Sequence, residues 1–140
     1  MVVVVDTNVF VSALMSPDGA SREIIRRCLR GRLKPLMGKA LFTELEDVCS
    51  RENLFEERLS SKTERVDLLD AFAASCRWVH IYYLWRPNLR DEADNHIMEL
   101  AVAGGAMAII TMNSRDFMSS ELRFPNIEIV SPKTALSFGV

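Results

Sequence analysis

Three carboxylates and one amide stand where the pattern of the chain could bring them together. Asp6 comes directly after Val2-Val3-Val4-Val5. Consecutive β-branched residues of this kind read as a strand buried on both faces, which occurs mainly inside parallel sheets covered by helices. Ligands bind such sheets at the carboxyl ends of the strands, so Asp6 falls where chemistry is expected; it is equally placed to cap the next helix. Asn113 follows another buried-strand candidate, Ala106 to Thr111, and parallel strands would put it at the same sheet edge. Asp94 begins a helix and, at about 100° per residue, points the same way as Ile97, Met98 and Ala101. An isolated ionised carboxylate on an apolar face is costly, so Asp94 needs a partner: its own helix N-terminus or a metal ion. Glu44 flanks the apolar stripe of its helix beside Leu41 and Val48, but Glu46 flanks the other side, and periodicity does not choose between them.

A cluster of carboxylates from distant parts of a chain is the usual way to hold hard divalent cations such as Mg²⁺ or Mn²⁺, which prefer oxygen ligands. Such a site needs no histidine. His80, on a predicted strand, and His96, on the predicted outward face of a helix, are accordingly read as structural. The chain lacks GxxxxGK[ST] and GxGxxG, so nucleoside triphosphate and dinucleotide sites are unsupported, and it lacks a GxSxG nucleophile elbow. An aspartyl-nucleophile phosphatase would want a second Asp two residues after the first, where this chain has Asn8.

The elements that must position these residues alternate along the sequence. A helix through Val9, Phe10, Ala13 and Leu14 ends at Ser16-Pro17-Asp18-Gly19, and a second helix over residues 20 to 30 is stopped by Gly31. Residues 34 to 38 read as a strand, Lys39 to Arg51 as a helix, and 52 to 77 as a helical hairpin or one long helix. Trp78 to Tyr83 is aromatic and β-branched, hence strand-like. A helix leads from Arg90-Asp91-Glu92-Ala93-Asp94 to about Ala103, closed by Gly104-Gly105, and a last strand covers Ile127 to Val130. The alternation predicts one α/β domain over residues 1 to 140, a three-layer sandwich with a central, mostly parallel sheet.

Composition narrows the class. A chain of 140 residues that is 49% hydrophobic suits a single folded core. A net charge of −2 leaves no global basic footprint, so a nucleic-acid partner would have to be met locally or through metal ions. Arg22, Arg26, Arg27, Arg30 and Arg32 form the densest basic stretch, read either as a solvated helix face or as a phosphate contact. Cys28, Cys49 and Cys76 lack metal or disulfide spacing and are expected to be free thiols. The apolar run Ala101 to Met112 is too short to span a membrane, and the N-terminus lacks a basic leader pattern, so a cytoplasmic protein is expected.

Taken together, these stretches resemble the PIN-domain family, and especially its short toxins of toxin–antitoxin pairs, the VapC-like proteins. The residues that carry the likeness are Val5-Asp6-Thr7-Asn8-Val9-Phe10-Val11-Ser12-Ala13, Glu44, Arg90-Asp91-Glu92-Ala93-Asp94-Asn95 with Met98-Glu99-Leu100-Ala101, and Ile109-Ile110-Thr111-Met112-Asn113-Ser114-Arg115-Asp116-Phe117. The resemblance implies a metal-dependent endoribonuclease in which Asp6, Glu44 and Asp94 hold Mg²⁺ or Mn²⁺, with Asp91 as a further acid. It implies supporting polar positions at Asn8, Ser12, Thr111 and Asn113. Where many members carry a fourth acid this chain has Asn113, and Asp116, three residues on, either supplies that charge or caps the turn. Arg22, Arg26, Arg27 and Arg115 are candidates for steering the RNA. A cognate antitoxin and a homodimer are the implied partners.

Two other functions remain open on the sequence. Loss of the fourth acid at Asn113 would suit a catalytically decayed PIN-fold module serving protein–protein contacts. A phosphatase or phosphotransfer receiver would instead form a covalent phosphate on Asp6.

Overall fold

The valine run forms the middle of the molecule. In a computed structural model, described over residues 1–51, 61–81, 95–114 and 126–138, it is strand β1 (Val2–Val5), with Val3, Val4 and Val5 almost completely buried. On one side of β1 lie β2 (Lys34–Met37) and β3 (Arg77–Trp78); on the other lie β4 (Ala108–Ile110) and β5 (Glu128–Val130). The order is β3-β2-β1-β4-β5 and every pairing is parallel, with Val3 opposite Ala108 and Val5 opposite Ile110. The expected α/β sandwich with a parallel sheet is therefore the fold observed.

This order fixes where a site can be. From β1 the chain first builds outward through β2 and β3, then returns to the other flank of β1 for β4 and β5. The reversal makes the carboxyl ends of β1 and β4 a topological switch point, where adjacent loops part and leave a crevice. Asp6 follows β1 and Thr111 follows β4 at this point.

Helices α1 (Thr7–Met15) and α2 (Ala20–Leu29) connect β1 to β2; α3 (Lys39–Cys49) and α4 (Lys62–Ser75) lie between β2 and β3; α5 (Asn95–Gly104) precedes β4. Helix α5 packs on β1, β2 and β4, whereas α2 packs on α1, α4 and α6 (Pro132–Ala135). Phe10 of α1 and Phe72 of α4 meet with ring centroids 5.6 Å apart and planes tilted by 45°, a favourable offset aromatic contact in the core. Gly31 (φ 78°) and Gly105 (φ 69°) adopt the left-handed conformation that ends α2 and α5, as their positions in the sequence predict.

The aromatic strand expected over Trp78 to Tyr83 differs. Only Arg77–Trp78 pairs with β2, and residues 79–81 are not strand, while Tyr82 and Tyr83 lie outside the described residues. Its composition favours extended structure, but among the described residues β3 is an edge strand with a single neighbour, so burial on two faces does not reinforce that preference. Both residues of β3 are exposed.

Candidate active site

Asp6 ends β1 with extended backbone (φ −69°, ψ 153°) and is the N-cap of α1. Its Oδ1 accepts a hydrogen bond from the Thr7 backbone N–H at 2.7 Å, and its Oδ2 accepts one from the Thr111 hydroxyl at 2.8 Å. Capping and a role at the sheet edge are thus not alternatives here, because one carboxylate does both. Asp6 is only 4% exposed, and its pKa is raised from the usual carboxylate value. Burial is the main cause, opposed by the bonds from Thr111 and Thr7 and reinforced by the nearby charge of Glu44.

Thr111 is the hub of this edge. It is fully buried, and while donating to Asp6 its Oγ1 accepts from Asn8 Nδ2 at 3.4 Å and from the Asn113 backbone N–H at 3.1 Å. Asn8 in turn accepts from the Met112 backbone N–H at 3.1 Å. The turn after β4 is therefore stitched to the first turn of α1, with Asp6 held between them. Ser12 lies one turn beyond Asn8 on the same face of α1 and is half-buried. Asn113 is exposed and joins the network through its main chain.

Glu44 reaches the same region from α3. Its side chain is half-exposed and Glu46 is exposed, so tertiary packing makes the choice that periodicity leaves open. Glu44 Oε2 lies 2.7 Å from His96 Nε2 in the first turn of α5. An ionised carboxylate can only accept, so Nε2 carries the hydrogen of this bond. The His96 bond is the largest cause of a lowered pKa at Glu44, working against partial burial. The Thr7 hydroxyl also favours the charged form, although among the described residues the buried Thr7 Oγ1 has no partner that meets hydrogen-bond geometry.

His96 corrects the sequence reading. It does not face outward: its side chain is 19% exposed, turned onto Glu44, with Nδ1 buried and unpartnered among the described residues. A histidine two residues after Asp94, beside a helix acid that needs a partner, was the available signal. His80, expected on a strand, lies just beyond β3.

Asp94, Asp91, Asp116 and Arg115 lie outside the described residues. Among the described residues no three His, Cys, Asp or Glu side chains come close enough to hold a metal. The two acids that do approach each other, Asp6 and Glu44, suit a hard divalent cation in kind: both offer oxygen, and the buried one is destabilised as an anion by burial and by its neighbour. A cation would relieve both effects.

The arginine stretch is mostly occupied within the protein. Arg22 Nη1 donates to Ala13 O at 3.2 Å, Arg26 Nη2 to Pro17 O at 2.7 Å, and Arg27 Nη1 to Leu136 O at 3.1 Å; Glu23 lies beside Arg26 and Arg27. These bonds clasp α2 to α1 and to the C-terminal segment. The thiols are free, and burial pushes Cys28 and Cys76 up to about 12, which leaves neither a nucleophile at neutral pH. No described helix is long and apolar enough to cross a membrane.

A parallel sheet with an acid held at its switch point and a second acid brought to it on α3 defines the class, and the comparisons with known proteins agree. The family model for the PIN domain matches residues 2–115, and the chain belongs to that family of nucleases. It is similar to an uncharacterized protein of Methanocaldococcus jannaschii, MJ1680, with 26% identity over 140 residues, spanning 93% of this chain and 84% of that protein. Its fold matches a chain of VapBC2 from Rickettsia felis, in a crystal structure bound to a DNA fragment from their promoter, with a TM-score of 0.60. That match has 14% sequence identity and covers 94% of this chain and 98% of the other.

Proposed function

We propose that this PIN-domain protein is an endoribonuclease that uses Mg²⁺ or Mn²⁺, and that it is the toxin of a toxin–antitoxin pair. The observation that carries the reading is Asp6: a buried carboxylate, pinned through both oxygens at the switch point and close enough to Glu44 for their charges to interact. In this reading Asp6, Glu44 and Asp94 hold the cation, with Asp91 contributing, and either Asp116 or the Asn113 carbonyl fills the fourth position.

The roles of the chain's own groups follow from their contacts. Thr111 and the Thr7 N–H fix Asp6 in one orientation, so no reorganisation is needed when substrate arrives. His96 keeps Glu44 ionised and turned toward α5. A bound divalent cation would offset the charge on the RNA phosphate and make a water more acidic for in-line attack. Pairing with an antitoxin is supported by likeness to a chain of a VapBC complex.

The deciding experiment incubates purified protein with a mixed RNA pool and Mg²⁺ or Mn²⁺, alongside EDTA, Asp6→Asn and Asp94→Asn controls. Metal-dependent cleavage lost in all three controls is expected. Cleavage that survives in EDTA and in both variants would overturn the reading, as would a stable phosphoryl adduct on Asp6 after treatment with a small phosphodonor.

A further inference from the structure

Beside Glu44 the molecule has a cleft of about 550 Å³ between the N-terminus of α3, the segment after β3 and α5. That volume is in the usual range for small-molecule sites, roughly 300–1,000 Å³. Its walls are mainly apolar, from Leu41, Val79, Ile81 and Leu100, and Gly38 leaves its floor without a side chain. His96 forms part of the wall while its Nε2 holds Glu44, so whatever enters the cleft lies one side chain away from Glu44.

We propose that this cleft receives one unpaired nucleobase of the RNA strand whose phosphate lies at Asp6 and Glu44. The inference rests on the nuclease reading and adds to it a base subsite. The chemistry selects a neutral, flat occupant. The buried polar members of the wall are the Glu99 carboxylate, 5% exposed, and the His96 imidazole, not the cluster of cations that a phosphate would require. An apolar slot excludes water from the faces of a base, and the His96 ring in the wall offers a surface on which a base can stack, as single-stranded RNA does on aromatic side chains. Lys39, exposed at the rim, is placed for the connecting phosphate.

Ala40 and Thr43 line the cleft yet are exposed on α3, so bulk can be added there without entering the core. The test follows backbone amide shifts of ¹⁵N-labelled protein in EDTA, with a single-stranded RNA hexamer and a hexamer of abasic ribose phosphates as probes. The RNA is expected to shift the amides of Gly38, Leu41 and Leu100 and the abasic strand is not. Ala40→Trp and Thr43→Trp are expected to weaken RNA binding about tenfold, the scale of losing one stacked base, with unchanged melting temperature. Equal shifts from both probes, or undiminished affinity in both variants, would overturn the proposal. So would shifts produced by an apolar helical peptide and not by RNA. Base-dependent shifts in a protein that cleaves no RNA with Mn²⁺ would support the subsite and count against the nuclease reading.

Discussion

The Thr111 hydroxyl donates to Asp6 Oδ2 at 2.8 Å, joining residues 105 positions apart. It makes the carboxyl ends of β1 and β4 one unit, and it does so at full burial, where no water can replace a lost bond.

Replacing that hydroxyl with a methyl strands several groups at once. In Thr111→Val, Asp6 Oδ2 loses its donor, and Asn8 Nδ2 and the Asn113 N–H lose their acceptor. Destabilisation of about 2 kcal/mol is expected, read as a lower urea midpoint, while Thr111→Ser recovers most of it.

Burial raises the Asp6 pKa, and the sign of its linkage follows. A carboxyl raised in the folded state favours folding while protonated, and that contribution is lost as pH climbs from the ordinary value of 3.8 through the raised one. At neutral pH without metal the ionised group therefore costs stability. Asn caps a helix as well as Asp. Asp6→Asn, which keeps the Thr7 cap but offers the Thr111 hydroxyl no acceptor, is expected to gain stability relative to wild type in EDTA as pH rises from acid to 7. Added Mn²⁺ should raise the melting temperature of wild type alone; calorimetry across pH and metal checks both.

Glu44 has the opposite sign. Its bond to His96 lowers the folded pKa, so its contribution is present above the ordinary value of 4.5 and is lost as pH falls through the folded value. Removing the partner in His96→Ala should flatten the loss of stability between pH 6 and pH 3, and His96→Gln, which still offers an N–H, should keep more of the slope. The half-exposed position of Glu44 keeps the effect modest. Urea midpoints over that range read it directly.

The sequence carried the sheet well because β1 and β4 are buried on both faces, and continuous apolar runs such as Val2–Val5 have few other uses. Asp6 was legible for the same reason, as the first polar residue after such a run. His96 was not, since helical periodicity reports which side a residue faces but not that an acid from α3 sits there. The arginines show another limit of local reading: charge density marks the basic stretch, but the carbonyls that Arg22, Arg26 and Arg27 engage belong to Ala13, Pro17 and Leu136, whose proximity only the fold creates. Asp94, Asp91 and Asp116 lie outside the described residues.

Gly104 and Gly105 look alike in sequence, as a pair closing α5, but the structure asks different things of them. Gly105 has φ 69° with nothing within 4 Å of where a Cβ would stand, so Gly105→Ala meets only the left-handed backbone cost of about 1 kcal/mol. At Gly104 a Cβ would lie 2.3 Å from Leu36 Cδ1 and 3.1 Å from Val79 Cγ2. Leu36 is 1% exposed in β2 and has little room to yield. Gly104→Ala should therefore force α5 away from β2 and destabilise by about 2–3 kcal/mol, more than its neighbour. Because α5 also carries His96, that shift should weaken the Glu44 bond, whereas Gly105→Ala leaves it intact. Urea midpoints for the two variants, with imidazole NMR shifts of His96, test the ordering; an equal cost at both positions would mean that α5 is not pressed onto β2.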